Sequence, residues 1–163
     1  MIRVEEALKN ILDAVSPLGL EKVNLFEALG RVIGEDVHAG RAIPPKDNSA
    51  MDGYALRAED TRGASPDNPV ILKVVEDIPA GAVPQKRIEP GQASRIMTGA
   101  PIPEGANAVV PMEESRREGG GVAILAEAAT GRDIRRAGED VQPGEKVISR
   151  GEIIRPAEIG MLS

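Results

Sequence analysis

Pro44-Pro45-Lys46-Asp47-Asn48-Ser49-Ala50-Met51-Asp52-Gly53-Tyr54-Ala55 gathers two prolines, two carboxylates, an Asn-Ser pair and a glycine, then enters the apolar alternation of Tyr54 and Leu56. The prolines fix the entry and forbid a helix start at Ile43 and Pro44. Asp47, Asn48 and Ser49 are residues that bond their own backbone and hold a tight, non-helical course. Gly53 opens a backbone shape closed to other residues, or lets a ligand approach. The stretch predicts a stiff loop presenting Asp47, Ser49 and Asp52 at the mouth of a strand, and stiff loops carrying acids and hydroxyls are where chemistry concentrates.

Downstream of Met51 the chain becomes short apolar runs between turn residues, with strands expected at 53–57, 70–76, 94–97, 108–113, 122–127, 146–148 and 153–154. That spacing fits a small β barrel or sandwich. Gly119-Gly120-Gly121 reads as a hairpin tip and residues 77–81 as a turn. Upstream, Val4, Ala7, Leu8, Ile11, Leu12 and Val15 follow one helical face, which Ser16-Pro17 and Gly19 should stop. Asn24 with Glu27 resembles a capping box for a short turn closed by Gly30, and residues 31–37 read as extended. Pro156 suits a first helical position, with Ile159 and Leu162 on one face. The sequence ends at Ser163 inside that pattern, which reads as a truncation.

Bulk properties narrow the class. With 163 residues, 41% hydrophobic, but one Phe, one Tyr and no Trp, the core must be aliphatic. Eighteen glycines and 13 prolines favour short strands over a helical bundle, so the expected class is α+β, mostly β. A net charge of −6 argues against nucleic acid as a partner. No cysteine is present, and no apolar stretch approaches a membrane span or a signal peptide, so a soluble cytoplasmic protein is expected. His38 is the only histidine, which removes a histidine-rich zinc site and the usual catalytic triad. Gly138 to Lys146 has the wrong spacing for a phosphate loop.

The quoted run resembles the signature of the molybdopterin molybdenumtransferase family, which acts last in molybdenum-cofactor synthesis and includes the E domain of gephyrin. Two further stretches resemble it in the same order: Arg95-Ile96-Met97-Thr98-Gly99-Ala100-Pro101-Ile102-Pro103-Glu104-Gly105-Ala106-Asn107-Ala108-Val109-Val110 and Ile134-Arg135-Arg136-Ala137-Gly138-Glu139-Asp140-Val141. The resemblance implies a discontinuous linker and dimerisation domain, residues 1–44 plus 143–163, with a β-rich domain, 45–142, inserted in it. It implies that pterin-binding and C-terminal domains lie outside this chain. The implied activity is insertion of molybdenum from molybdate into adenylylated molybdopterin, with Mg2+ and release of AMP. This chain alone is then expected to be inactive. A homodimer is implied, with molybdopterin adenylyltransferase as a candidate partner. The alternative is a dimerisation or interaction scaffold without chemistry of its own.

By the same resemblance Asp52 and Thr98 are the catalytic candidates, Ser49, Arg135 and Asp140 the substrate-binding ones, and Asp52 and Asp140 the metal ligands. Each has a plainer reading. Asp52 is also placed to cap the turn before Gly53, and Thr98 to bond its own backbone at a strand exit. Arg135, Arg136, Glu139 and Asp140 also suit a solvated loop with surface ion pairs worth ~0–1 kcal/mol each. Asp140 has two readings, as a metal ligand or as a group holding an arginine. Glu113-Glu114 with Arg116-Arg117 reads as a solvated hairpin flank.

Overall fold

Apolar runs become strands where a neighbour can take their backbone groups. The computed structural model describes residues 2–16 and 18–163. In chain order its elements are α1 (Val4–Asp13), β1 (Val37–His38), β2 (Asn48–Ser49), β3 (Gly53–Leu56), β4 (Val70–Ile78) and β5 (Gln92–Ile96). There follow β6 (Ala108–Pro111), β7 (Ser115–Glu118), β8 (Gly121–Ile124), β9 (Ile134–Arg135), β10 (Lys146–Ile148) and α2 (Pro156–Leu162). Single 3-10 turns form at Leu25–Glu27, Ala58–Thr61 and Met112–Glu114. The chain is mostly β, as its composition indicates, and divides into two units, Met1–His38 with Lys146–Ser163 and Ala39–Glu145.

In the first unit α1 follows the expected face but buries none of its residues. It ends at Asp13, ahead of the expected stop; Pro17 lies outside the described residues. The expected Asn24 capping box does not form. Asn24 makes no side-chain cap bond, because only one 3-10 turn follows it, and the turn is tied instead by Gly30 N–H donating to the Ile154 carbonyl at 2.8 Å. Gly30 has φ +78°, the left-handed shape glycine takes most readily. β1 and β10 pair antiparallel, and His38 is an exposed strand residue. Residues 153–154 give only an isolated bridge, Val32 with Ile153. In α2, Pro156 holds the first turn as expected, and Glu158 accepts from the Arg155 N–H, Nε and Nη2. Those bonds hold the Glu158 carboxyl down to about 2.

The second unit is built on a six-stranded sheet, curled as a half-barrel, in the order β6-β3-β5-β4-β8-β7. Only β4 and β5 run parallel. Apolar clusters, aliphatic apart from Tyr54, cover both faces. Tyr54, Leu56, Leu72, Val110, Val122 and Ile124 pack on one, and Ala55, Ile78, Ile96, Ala100 and Val109 form a second cluster. β4 runs two residues past its expected end, because Asp77 pairs with Arg95 and the Ile78 carbonyl takes the Met97 N–H; the turn starts at Pro79. β6 and β8 stop earlier than expected, β6 giving way to the 3-10 turn at Met112. The glycine hairpin is present between β7 and β8. β7 was not legible as a strand, since it is an edge strand with three exposed residues and no apolar alternation.

Gly53 is required by close approach. A Cβ there would run into the Val110 carbonyl oxygen of the neighbouring strand β6. Gly53→Ala is expected to destabilise the chain by about 2 kcal/mol or more, through backbone displacement in a buried strand, as read from urea denaturation midpoints.

Candidate functional site

The proline-rich loop is held by backbone and side-chain bonds together. Ser49 N–H donates to the Ala100 carbonyl at 3.0 Å, and the Ser49 carbonyl accepts from Gly99 N–H at 2.8 Å. β2 pairs with β9, setting Asn48 opposite Arg135 and Ser49 opposite Ile134. Ala50 N–H donates to the Asp133 carbonyl at 2.9 Å, and Met112 N–H to the Asp52 carbonyl at 3.0 Å. The three stretches quoted above are therefore one structure: the loop is clasped between the Thr98 corner and the Arg135 segment.

Asp52 and Thr98 meet directly. The Thr98 N–H and Oγ1 both donate to Asp52 Oδ1, each at 2.7 Å. The Thr98 amide, then its hydroxyl, and more weakly the charge of Arg95, hold the Asp52 carboxyl below the usual carboxylate range. Both residues are exposed, so the second carboxylate oxygen and the corner face solvent.

Arg135 and Asp140 also meet, but each other: Arg135 Nη2 donates to Asp140 Oδ2, which raises the Arg135 pKa. Of the two readings for Asp140, this contact is that of a group holding an arginine. Ser49 points inward. It is 1% exposed, and its Oγ donates to the Met51 carbonyl at 2.6 Å, so its hydroxyl shapes the loop. Asp47 accepts from Arg136 Nη1 at 2.6 Å and from the Ala137 N–H at 2.9 Å. Among the described residues no hydrogen bond links the Asp52–Thr98 pair to the Arg135–Asp140 pair.

A hard cation needs several oxygens, and magnesium is commonly held by one or two carboxylates with water and phosphate. Among the described residues no three carboxylate or imidazole groups converge. Each of Asp52 and Asp140 has one oxygen committed, Asp52 Oδ1 to Thr98 and Asp140 Oδ2 to Arg135, and each keeps its other oxygen to offer as a single ligand. The chain has no metal cage of its own among these residues. The open groove beside Ile71, Lys73, Gly91, Glu118 and Gly121 shares no residue with this site.

Four residues escaped the sequence reading. Arg95, paired with Asp77 at 2.8 Å, begins a quoted motif and had only that signal. Arg132 and Asp133 gave none. Glu114, read above as part of a solvated flank, accepts from Arg132 Nη2 at 2.7 Å and is half-buried.

A half-barrel sheet with a carboxylate–hydroxyl corner at the ends of its central strands places the chain in a class with solved relatives. Over 97% of its length it superimposes on 42% of a molybdopterin biosynthesis moeA protein from Pyrococcus horikoshii OT3, with TM-score 0.92 and 46% identity. The chain belongs to the family described as MoeA N-terminal region (domain I and II), whose model matches residues 2–163. It is 52% identical over 139 residues to molybdopterin molybdenumtransferase 2 of Mycobacterium tuberculosis, covering 85% of this chain and 34% of that protein. It is 39% identical over 166 residues to the molybdopterin molybdenumtransferase of Bacillus subtilis, covering 99% and 39%. The chain thus spans little more than a third of the length of these relatives. No helix among the described residues is long and apolar enough to cross a membrane.

Thr98→Val removes one donor to Asp52 and keeps the other. The Asp52 pKa, read from its carboxyl carbon shift, should rise toward its ordinary value. A depressed carboxyl adds stability that is full above the ordinary carboxylate range and lost as pH falls through its folded pKa. The stability gap between wild type and Thr98→Val should accordingly be present at pH 7 and close in acid.

Proposed function

We propose that this chain supplies one wall of the active site of a molybdopterin molybdenumtransferase, acting in the cytoplasm on adenylylated molybdopterin and molybdate. The single observation that carries the reading is the Thr98 amide and hydroxyl converging on one oxygen of an exposed Asp52. That arrangement keeps the carboxylate ionised and oriented with its other oxygen free. Asp52 and Thr98 are the catalytic pair in this proposal. Arg135, steadied by Asp140, receives an anionic part of the substrate by charge-assisted hydrogen bonds. Ser49 acts indirectly, by fixing the loop. Magnesium, when bound, would screen the charge of the adenylate anhydride, with Asp52 as one ligand and water and phosphate oxygens as the rest.

The second wall is proposed to come from pterin-binding and C-terminal domains beyond this chain, within a homodimer. The discontinuous segment 1–44 plus 143–163 would serve dimerisation, with 45–142 as the inserted domain. Molybdopterin adenylyltransferase is the proposed supplier of substrate. Because positioning is shared between two walls, this chain alone is expected to be inactive.

Joined to the remaining portion of the Bacillus subtilis relative, the chain should release AMP from adenylylated molybdopterin in a molybdate-dependent way. Asp52→Ala in that chimera should lower the rate by roughly 100-fold while circular dichroism is unchanged. Unchanged AMP release in the variant would favour the scaffold reading, and release by this chain alone would refute the two-wall arrangement.

A further inference from the structure

Residues 50–52 are anchored through their main chain at two points, one at Ala50 and one at Asp52, and one side chain ties those anchors together. The first anchor is the Asp133 carbonyl, which takes the Ala50 N–H at 2.9 Å. The second is the 3-10 turn Met112–Glu114, whose Met112 N–H donates to the Asp52 carbonyl at 3.0 Å. Arg132 spans them. Its Nη2 donates to Glu114 Oε1 at 2.7 Å and its Nε to Asp133 Oδ2 at 3.3 Å. The circuit Asp52, Met112, Glu114, Arg132, Asp133, Ala50 closes on itself.

Two details mark this circuit. Asp133 has φ 52°, the left-handed region, which aspartate enters more readily than most non-glycine residues. Glu114 Oε2 is buried without a hydrogen-bond partner, so Arg132 is the cation that compensates this carboxylate. A guanidinium suits the task because its planar fork reaches two carboxylates at once. Arg132 itself is fixed from behind, its carbonyl accepting the Val109 N–H of β6 at 3.0 Å.

We propose that Arg132 is a positioning residue for Asp52, locking the Asp133 and Met112 anchors of residues 50–52 so that the Asp52 carboxylate stays registered on the Thr98 corner. The proposal rests on the reading of Asp52 as a functional group, and it acts through the loop without touching substrate.

The test is made on this chain by NMR, independently of catalysis. Arg132→Met removes the fork and keeps much of the side-chain bulk. Exchange of the Thr98 amide, held by Asp52, and of the Ala50 amide, held by the Asp133 carbonyl, should each quicken by about tenfold, while amides of β4 and β8 keep their protection. Unchanged Thr98 and Ala50 exchange in a folded Arg132→Met chain overturns the proposal. Should that variant not fold, Glu114→Gln, which weakens the same link without a change of shape, must move both readouts in the same direction or the proposal fails. Failure of the AMP-release experiment would remove the catalytic role of Asp52 and leave these two readouts standing, so the two failures are separable.

Discussion

All four residues of β3, from Gly53 to Leu56, are buried, because β5 and β6 press on its edges and apolar clusters cover its two faces. A charged side chain within this strand would lose water without gaining a partner. Asp52 is therefore the last exposed position before the chain disappears into the sheet, and Thr98 stands just past the end of the neighbouring strand β5. The exposed polar corner at this end of the sheet follows from exclusion within it. Gly53 marks the boundary, since even a methyl group there meets β6.

The polar groups outside β3 are ordered by backbone bonds more than by charge. Arg135–Asp140 and Arg136–Asp47 are substantially exposed pairs, a type that adds little to stability. Their value is geometric: they fix where a guanidinium sits. The Ser49, Ala50 and Asp52 main-chain bonds do the holding, and each reaches a different downstream segment.

Much of this was legible from local pattern. The aliphatic runs that became β4, β6 and β8 stood out because buried strands need them, and Pro156 announced α2 through its missing N–H. The three motifs identified the family, and Asp52 with Thr98 proved to be in contact. What stayed hidden depends on distance along the chain. Arg132 and Glu114 are 18 residues apart and become a pair only once β7 and β8 have folded. β7 carries charges on both sides, so no periodicity betrays it. Ser49 looked like a ligand-facing hydroxyl because its inward turn depends on the bonds to Gly99 and Ala100, far downstream. Asn24 looked like a cap, but too little helix followed for its side chain to cap.

The separation between Asp52 and Thr98 has a consequence for how the site comes into being. They are 46 residues apart, and β3 can close only on strands made later. Non-local pairing of this kind is slow, since a long loop must be closed before any contact rewards it. During synthesis Asp52 is made 46 residues before Thr98, and the Asp133 anchor is made later still. No nascent piece that lacks Thr98 and Asp133 can form the Asp52–Thr98 contact together with its anchor.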